Sequence, residues 1–251
     1  MAQLLHHPPG MKSVLYCGCA DNFRAVVNKA DDIDWTSGLE SYGHYHRMMA
    51  ALAHKYGCTI EQATAVFVST SPNNDYLNNL RSTVSILDGW KRGVPVDEIV
   101  ISTYNHAKFR AWACLHGRDF LQSTKGPKIK SFYRNIVDPT DPDPVTIDGH
   151  MVSAWTGQRI LMKDVAVGRW NYPIVAADAR QVAAERGLVP CQLQGVIWFA
   201  WKRIHQVVYS GNLNLFGDHW GLHLDPTQLR PFTKKEVPAG LQAIEAHPSL
   251  L

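Results

Sequence analysis

Lys128 and Asp148 are the two residues of this chain whose types and spacing suggest shared chemistry. Lys128 follows Thr124-Lys125-Gly126-Pro127 at the start of a helical pattern, and Asp148 opens the next one in Ile147-Asp148-Gly149-His150-Met151. The 20 residues from one to the other hold a helix of about three turns and a loop returning to the same end. An unprotonated amine can attack C1′ of a sugar and form a Schiff base. A carboxylate beside that sugar stabilises the oxocarbenium-like charge that grows as the base departs. Together they suit cleavage of an N-glycosidic bond in DNA, once the target base has left the stack.

Each residue also has a plainer reading. Asp148 serves equally as the N-cap of its helix, and an isolated lysine such as Lys128 is most often a solvated surface group. Asn73 and Asn74 after Pro72 read as a turn, and His150 falls in a first helical turn. Trp198 and Trp201 share a helical stripe and are expected to pack in a core, with Lys202 and Arg203 opposite them on a solvated face.

The elements that must position these residues read as helices. Apolar residues recur at helical spacing over most segments, and alternating strand patterns are scarce. Helices are predicted over 43–57, from a Thr59 cap to Ser71-Pro72, and over 73–91 with Leu77, Leu80, Val84 and Leu87 on one stripe. Shorter ones follow at 96–101, 106–117, 128–137 and from Asp148 to Trp155, then longer ones at 173–186 and 191–208. Pro139, Pro142 and Pro144 with three aspartates among them mark an exposed loop.

Composition narrows the function classes. The chain has 251 residues, 45% hydrophobic and 19% charged, which is the balance of a folded protein with a sizeable core. A formal charge of +3 permits a local basic groove without demanding one. Five scattered cysteines argue against a disulfide framework, and the lack of a four-cysteine run argues against an iron–sulfur cluster. No apolar run approaches the length of a membrane span and no signal peptide is expected, which points to a soluble, intracellular protein.

The hairpin and the Asp148 segment resemble the helix-hairpin-helix (HhH-GPD) DNA glycosylase superfamily, which includes endonuclease III and 8-oxoguanine glycosylase. Its signature is a glycine-rich hairpin, a lysine two residues after the last glycine, and an aspartate some twenty residues on. Gly126, Lys128 and Asp148 meet those spacings, and Asp148-Gly149-His150-Met151 is similar to the Asp-Val-His-Met of the family's 8-oxoguanine glycosylase branch. Val68-Ser69-Thr70-Ser71-Pro72-Asn73-Asn74-Asp75 resembles the asparagine-rich stretch that fills the gap left by a flipped base. The hairpin departs at Thr124, where the family carries its first glycine.

The resemblance covers about 58–157 and implies a mainly α, two-lobed fold. One lobe, 46–157, would hold the hairpin; the other would be built from both ends, 1–45 and 158–251. It also implies a DNA N-glycosylase with AP lyase activity acting on double-stranded DNA as a monomer, with Lys128 as nucleophile and Asp148 as stabiliser. Asn73, Asn74, Lys125, Gly126, Lys130 and His150 would contact the DNA. No cofactor is required, although a monovalent cation could sit at the hairpin carbonyls.

The rival readings are a phage-type enzyme that modifies DNA bases on the same fold and a non-catalytic helix-hairpin-helix module. A bacterial or phage origin suits either. A metal hydrolase built on His44-x-His46 or His219-x-x-x-His223 lacks a carboxylate at motif spacing, and Pro190-Cys191 lacks the rest of a zinc deaminase signature.

Overall fold

The computed structural model describes residues 16–72, 74–161, 164–165, 167–168, 170–207 and 224–236. Among them it is mainly helical, with no β-strand. The chain divides into two units, one of residues 1–44 and 126–223, the other of 45–125 and 224–251. Residues 126–157 therefore group with 1–44 and 158–223, whereas the sequence reading joined them to 46–125.

The first unit contains α1 (Ala20–Val27), the start of α2 (Asp32–Tyr56), α7 (Pro127–Val137), α8 (Gly149–Thr156), α9 (Asn171–Glu185) and α10 (Pro190–Ile204). Its core joins Phe23 and Val27 of α1 to Ile147, Met151 and Trp155, Val175 and Val182 of α9, and Leu193, Ile197 and Trp201 of α10. Gly38 and Gly195 set how closely α2 and α10 cross. A Cβ on Gly38 would stand 2.3 Å from the Val196 backbone N, and one on Gly195 would stand 2.5 Å from the Gly38 carbonyl O. Arg203, at the end of α10, pairs with Asp34 at 2.6 Å and Asp31 at 2.9 Å.

The second unit contains the rest of α2, α3 (Ile60–Thr70), α4 (Tyr76–Lys91), α5 (Asn105–Leu115) and α6 (Phe120–Ser123). α3 starts where expected because Thr59 and Gln62 cap each other. Thr59 Oγ1 accepts from the Gln62 N–H at 3.2 Å, and Gln62 Oε1 accepts from the Thr59 N–H at 3.0 Å. Leu80, Val84 and Leu87 of α4 are fully buried, but Leu77 is 38% exposed and drops out of the expected stripe. The helix expected at 96–101 is a single 3₁₀ turn, Val96–Glu98. The 224–236 segment packs on α4: the Phe232 N–H donates to Ser85 Oγ at 2.8 Å, and the Arg81 guanidinium lies 4.0 Å from the Phe232 ring centre.

Three helices depart from the reading of the sequence. α2 begins at Asp32, eleven residues before the predicted start at 43, and runs through two glycines. α1 was not anticipated. α10 ends at Ile204; Val208 lies outside the described residues. All five cysteines are free thiols. No described helix is long and apolar enough to cross a membrane.

Candidate active site

The chain passes from the second unit to the first between Lys125 and Gly126. Thr124 and Gly126 are extended, and α7 starts on Pro127, whose fixed φ and missing N–H suit a first helical position. Lys128 therefore lies in the first turn of α7 with its side chain exposed, and Lys130 is half-buried. Gly126 has φ −73°, which any residue adopts, and a Cβ there would meet nothing within 4 Å. Neither backbone conformation nor internal packing asks for glycine at this position.

Asp148 is tied to α7 through the segment that precedes it. Asn135, fully buried on α7, donates from Nδ2 to Thr146 Oγ1 at 3.0 Å. On the α9 side, the Tyr172 hydroxyl donates to the Val145 carbonyl at 2.7 Å and accepts from the Ile147 N–H at 3.3 Å. Residues 145–147 are thus clamped between the helix carrying Lys128 and α9 just before the chain turns into α8.

Asp148 does cap α8, with Oδ1 accepting from the Met151 N–H at 2.9 Å. It also has a second role. Its other oxygen, Oδ2, accepts from the indole N–H of Trp198 on α10 at 2.9 Å. The Trp198 ring stands edge-on to His150, with centroids 6.1 Å apart, and Lys202 Nζ lies 3.8 Å from the Trp198 ring centre. One carboxylate, one imidazole, one indole and one amine thus form a cluster on α8 and α10 within the first unit.

The placement of Lys202 corrects the sequence reading. It was expected with Arg203 on a solvated face; Arg203 is exposed, but Lys202 is 1% exposed. Burial pushes its amine down to about 8, with Asp148 acting in the opposite direction. Trp198, expected in the core, is half-buried, and its indole N–H faces Asp148. The spacing Trp198-x-x-x-Lys202 is the sequence signal that could have revealed this arrangement, because residues four apart lie one above the other on a helix.

His150 is 4% exposed, so its ring is inside the unit and not presented to a phosphate. Burial lowers its pKa, Asp148 opposes that, and Lys202, Lys128 and Arg159 lower it further.

The remaining expected contacts fall elsewhere. Lys125 is exposed in the second unit. Asn74, also in that unit, donates from Nδ2 to the Thr70 carbonyl at 3.1 Å and accepts at Oδ1 from Ser102 Oγ at 3.0 Å. Asn73 lies outside the described residues, as do His219 and His223. The acidic loop before Asp148 is partly neutralised internally: Arg134 reaches Asp141 at 2.8 Å and Asp143 at 2.9 Å. Among the described residues, no three His, Cys, Asp or Glu side chains gather as a metal ion would need.

A family model matches residues 11–205, a stretch that includes Lys128, Asp148, His150, Trp198 and Lys202. The chain belongs to the family of unknown function DUF7178. No curated protein and no solved structure matches it. The cluster in this DUF7178 protein therefore has to be interpreted from its own geometry.

Proposed function

We propose that this protein removes a damaged or modified base from double-stranded DNA, with Asp148 stabilising charge at C1′ and Lys128 as the attacking amine. The observation that carries this reading is that Lys128, in the first turn of α7, and Asp148, at the head of α8, lie in one unit. The Asn135–Thr146 bond holds the helix of one to the segment leading into the other.

The fold is read as the two-lobed HhH-GPD type. The target base leaves the duplex at a cost of a few kcal/mol, which favours damaged or modified pairs. As the glycosidic bond lengthens, the base takes the bonding electron pair and positive charge grows over C1′ and the ring oxygen. Asp148 offsets that charge from a partly buried position where water screens it weakly. The Lys128 amine adds at C1′, and ring opening gives a protonated Schiff base that water or strand cleavage resolves. The phosphate contact is expected at the first turn of α7 beside Gly126, where a Cβ would meet nothing within 4 Å.

Borohydride trapping on duplexes carrying an abasic site tests this directly. The wild-type protein should form a covalent adduct, and Lys128→Gln should slow its formation at least tenfold while DNA binding persists. A protein that binds DNA but forms no adduct and releases no base would instead be a non-catalytic DNA-binding module.

A further inference from the structure

Lys202 is a buried lysine that the proposed reaction does not use. The amine lies against the face of Trp198, 3.8 Å from the ring centre, and Trp198 is the half-buried member of the pair. The indole is held in that place by its N–H···Oδ2 bond to Asp148, 2.9 Å long. Among the described residues, Asp148, Lys202, Lys128 and Arg159 act on His150, and Asp148 acts on Lys202.

We propose that Lys202 is a second covalent-capture amine, covered by Trp198 and uncovered when a ligand takes the Asp148 oxygen that now holds the indole N–H. Its ligand class is an aldehyde or ketone carbon; in DNA this is C1′ of a ring-opened abasic sugar, an assignment that rests on the proposed function. Three features converge on this assignment. Burial shifts the amine toward its neutral, nucleophilic form: with Lys202 lowered to about 8, its neutral fraction at pH 8 is about a hundredfold that of a surface lysine. Trp198 is the movable part, because a half-buried side chain reaches another rotamer more easily than a core one. The latch is Asp148 itself, so engagement of a ligand by the carboxylate and release of the cover are one event.

The bonding is simple. The Nζ lone pair adds to the carbonyl carbon while the C=O π pair moves to oxygen, a proton passes from nitrogen to that oxygen, and uptake of one proton from solvent lets the hydroxyl leave as water, giving a protonated imine. Cyanoborohydride then delivers hydride to the imine carbon and fixes a secondary amine.

The test uses the full chain, glycolaldehyde and cyanoborohydride at pH 8, with peptide mapping of the labelled lysines. Trp198→Phe removes the N–H latch and keeps a ring; Trp198→Ala removes the cover. Lys202 should label ahead of exposed Lys125 and Lys128 in at least one folded variant, and about tenfold faster there than in wild type. Folded Trp198 variants that leave Lys202 unlabelled while surface lysines react would overturn the inference.

The same mapping on an abasic duplex separates this inference from the broader one. In Lys128→Gln the residual adduct should sit on Lys202. If glycolaldehyde labels Lys202 and abasic DNA labels nothing, the capture amine stands and the DNA reading fails. If abasic DNA labels Lys128 alone and glycolaldehyde spares Lys202, the DNA reading stands and this inference fails.

Discussion

Each unit buries a lysine, and the two are held in opposite ways. Lys108, 3% exposed in the second unit, donates to the Ile99 carbonyl at 3.0 Å and tethers the loop that leads into α5. Lys202, 1% exposed in the first, lies against an indole beside a carboxylate. The first arrangement satisfies a backbone acceptor and stiffens a turn. The second keeps an amine under a residue that can move, at an energetic cost. The same contrast extends to the other polar groups in each interior. In the second unit they are neutral and locked together: Thr70 Oγ1 donates to Asn79 Oδ1 at 2.7 Å, and the Ser82 and Ser102 hydroxyls are 2.9 Å apart. In the first, neutral pairs such as Asn135 and Thr146 stand beside two buried groups that titrate, His150 and Lys202. Buried ionisable groups that depress stability are expected where a site does chemistry.

Substituting the two lysines by methionine should therefore move stability in opposite directions, and this is the largest expected effect. Lys202→Met should stabilise by up to about 3 kcal/mol at pH 7, because the lowered amine costs free energy to bury in its charged form. Lys108→Met should destabilise by about 1–3 kcal/mol, because it strands a buried carbonyl. Thermal melts of both variants at pH 7 check the signs, and equal signs would erase the contrast.

The pH dependence sharpens it. With Lys202 lowered to about 8, the unfolded chain holds more protons between pH 8 and an unfolded value of about 10.4. Wild-type stability should gain a contribution that rises across this window, and Lys202→Met should lose it. His150, also lowered by burial, contributes stability that is present above about pH 6.5 and lost as pH falls through its folded value. His150→Gln should flatten that acid limb in urea melts.

Two smaller effects probe residues read from the sequence as DNA contacts. Asn74→Ala should cost about 1–2 kcal/mol, because it removes bonds to Thr70 and Ser102. An unchanged midpoint would free Asn74 for a role outside the fold. Gly126→Ala should change stability by less than about 0.5 kcal/mol while weakening DNA binding, since a Cβ there meets only open space. Unaltered affinity in a salt titration would remove Gly126 from the interface.

Local rules made much of this legible in advance. The Thr59–Gln62 pair and Asp148 at the head of α8 declare helix starts through their own short-range bonds, and Pro127 marks the head of α7 by its fixed φ and missing N–H. Asp148 as a cap and Asp148 as a site residue looked like competing readings. The structure gives its two oxygens separate partners, Met151 N–H and Trp198 N–H.

What was not legible depends on tertiary approach. Gly38 weakens any helical reading of 32–42 by propensity, yet it sits inside α2 because Gly195 and Val196 come too close for a side chain. Leu77 fits its stripe by periodicity, but its place on α4 leaves it partly in solvent. Lys202 departs from the solvated face expected of a charged residue: the four-residue spacing to Trp198 reports the indole above it, but nothing local reports that Asp148 approaches the pair.

The most direct test of the central claim is single-turnover base release from duplexes that each carry one altered base, comparing wild type with Asp148→Asn. The substitution keeps a capping oxygen for α8 and removes the charge, so the fold and DNA affinity should persist. The account predicts that wild type releases a base from at least one duplex and that Asp148→Asn slows release about a hundredfold or more. Equal rates in the two proteins, or no release from any duplex, would contradict it.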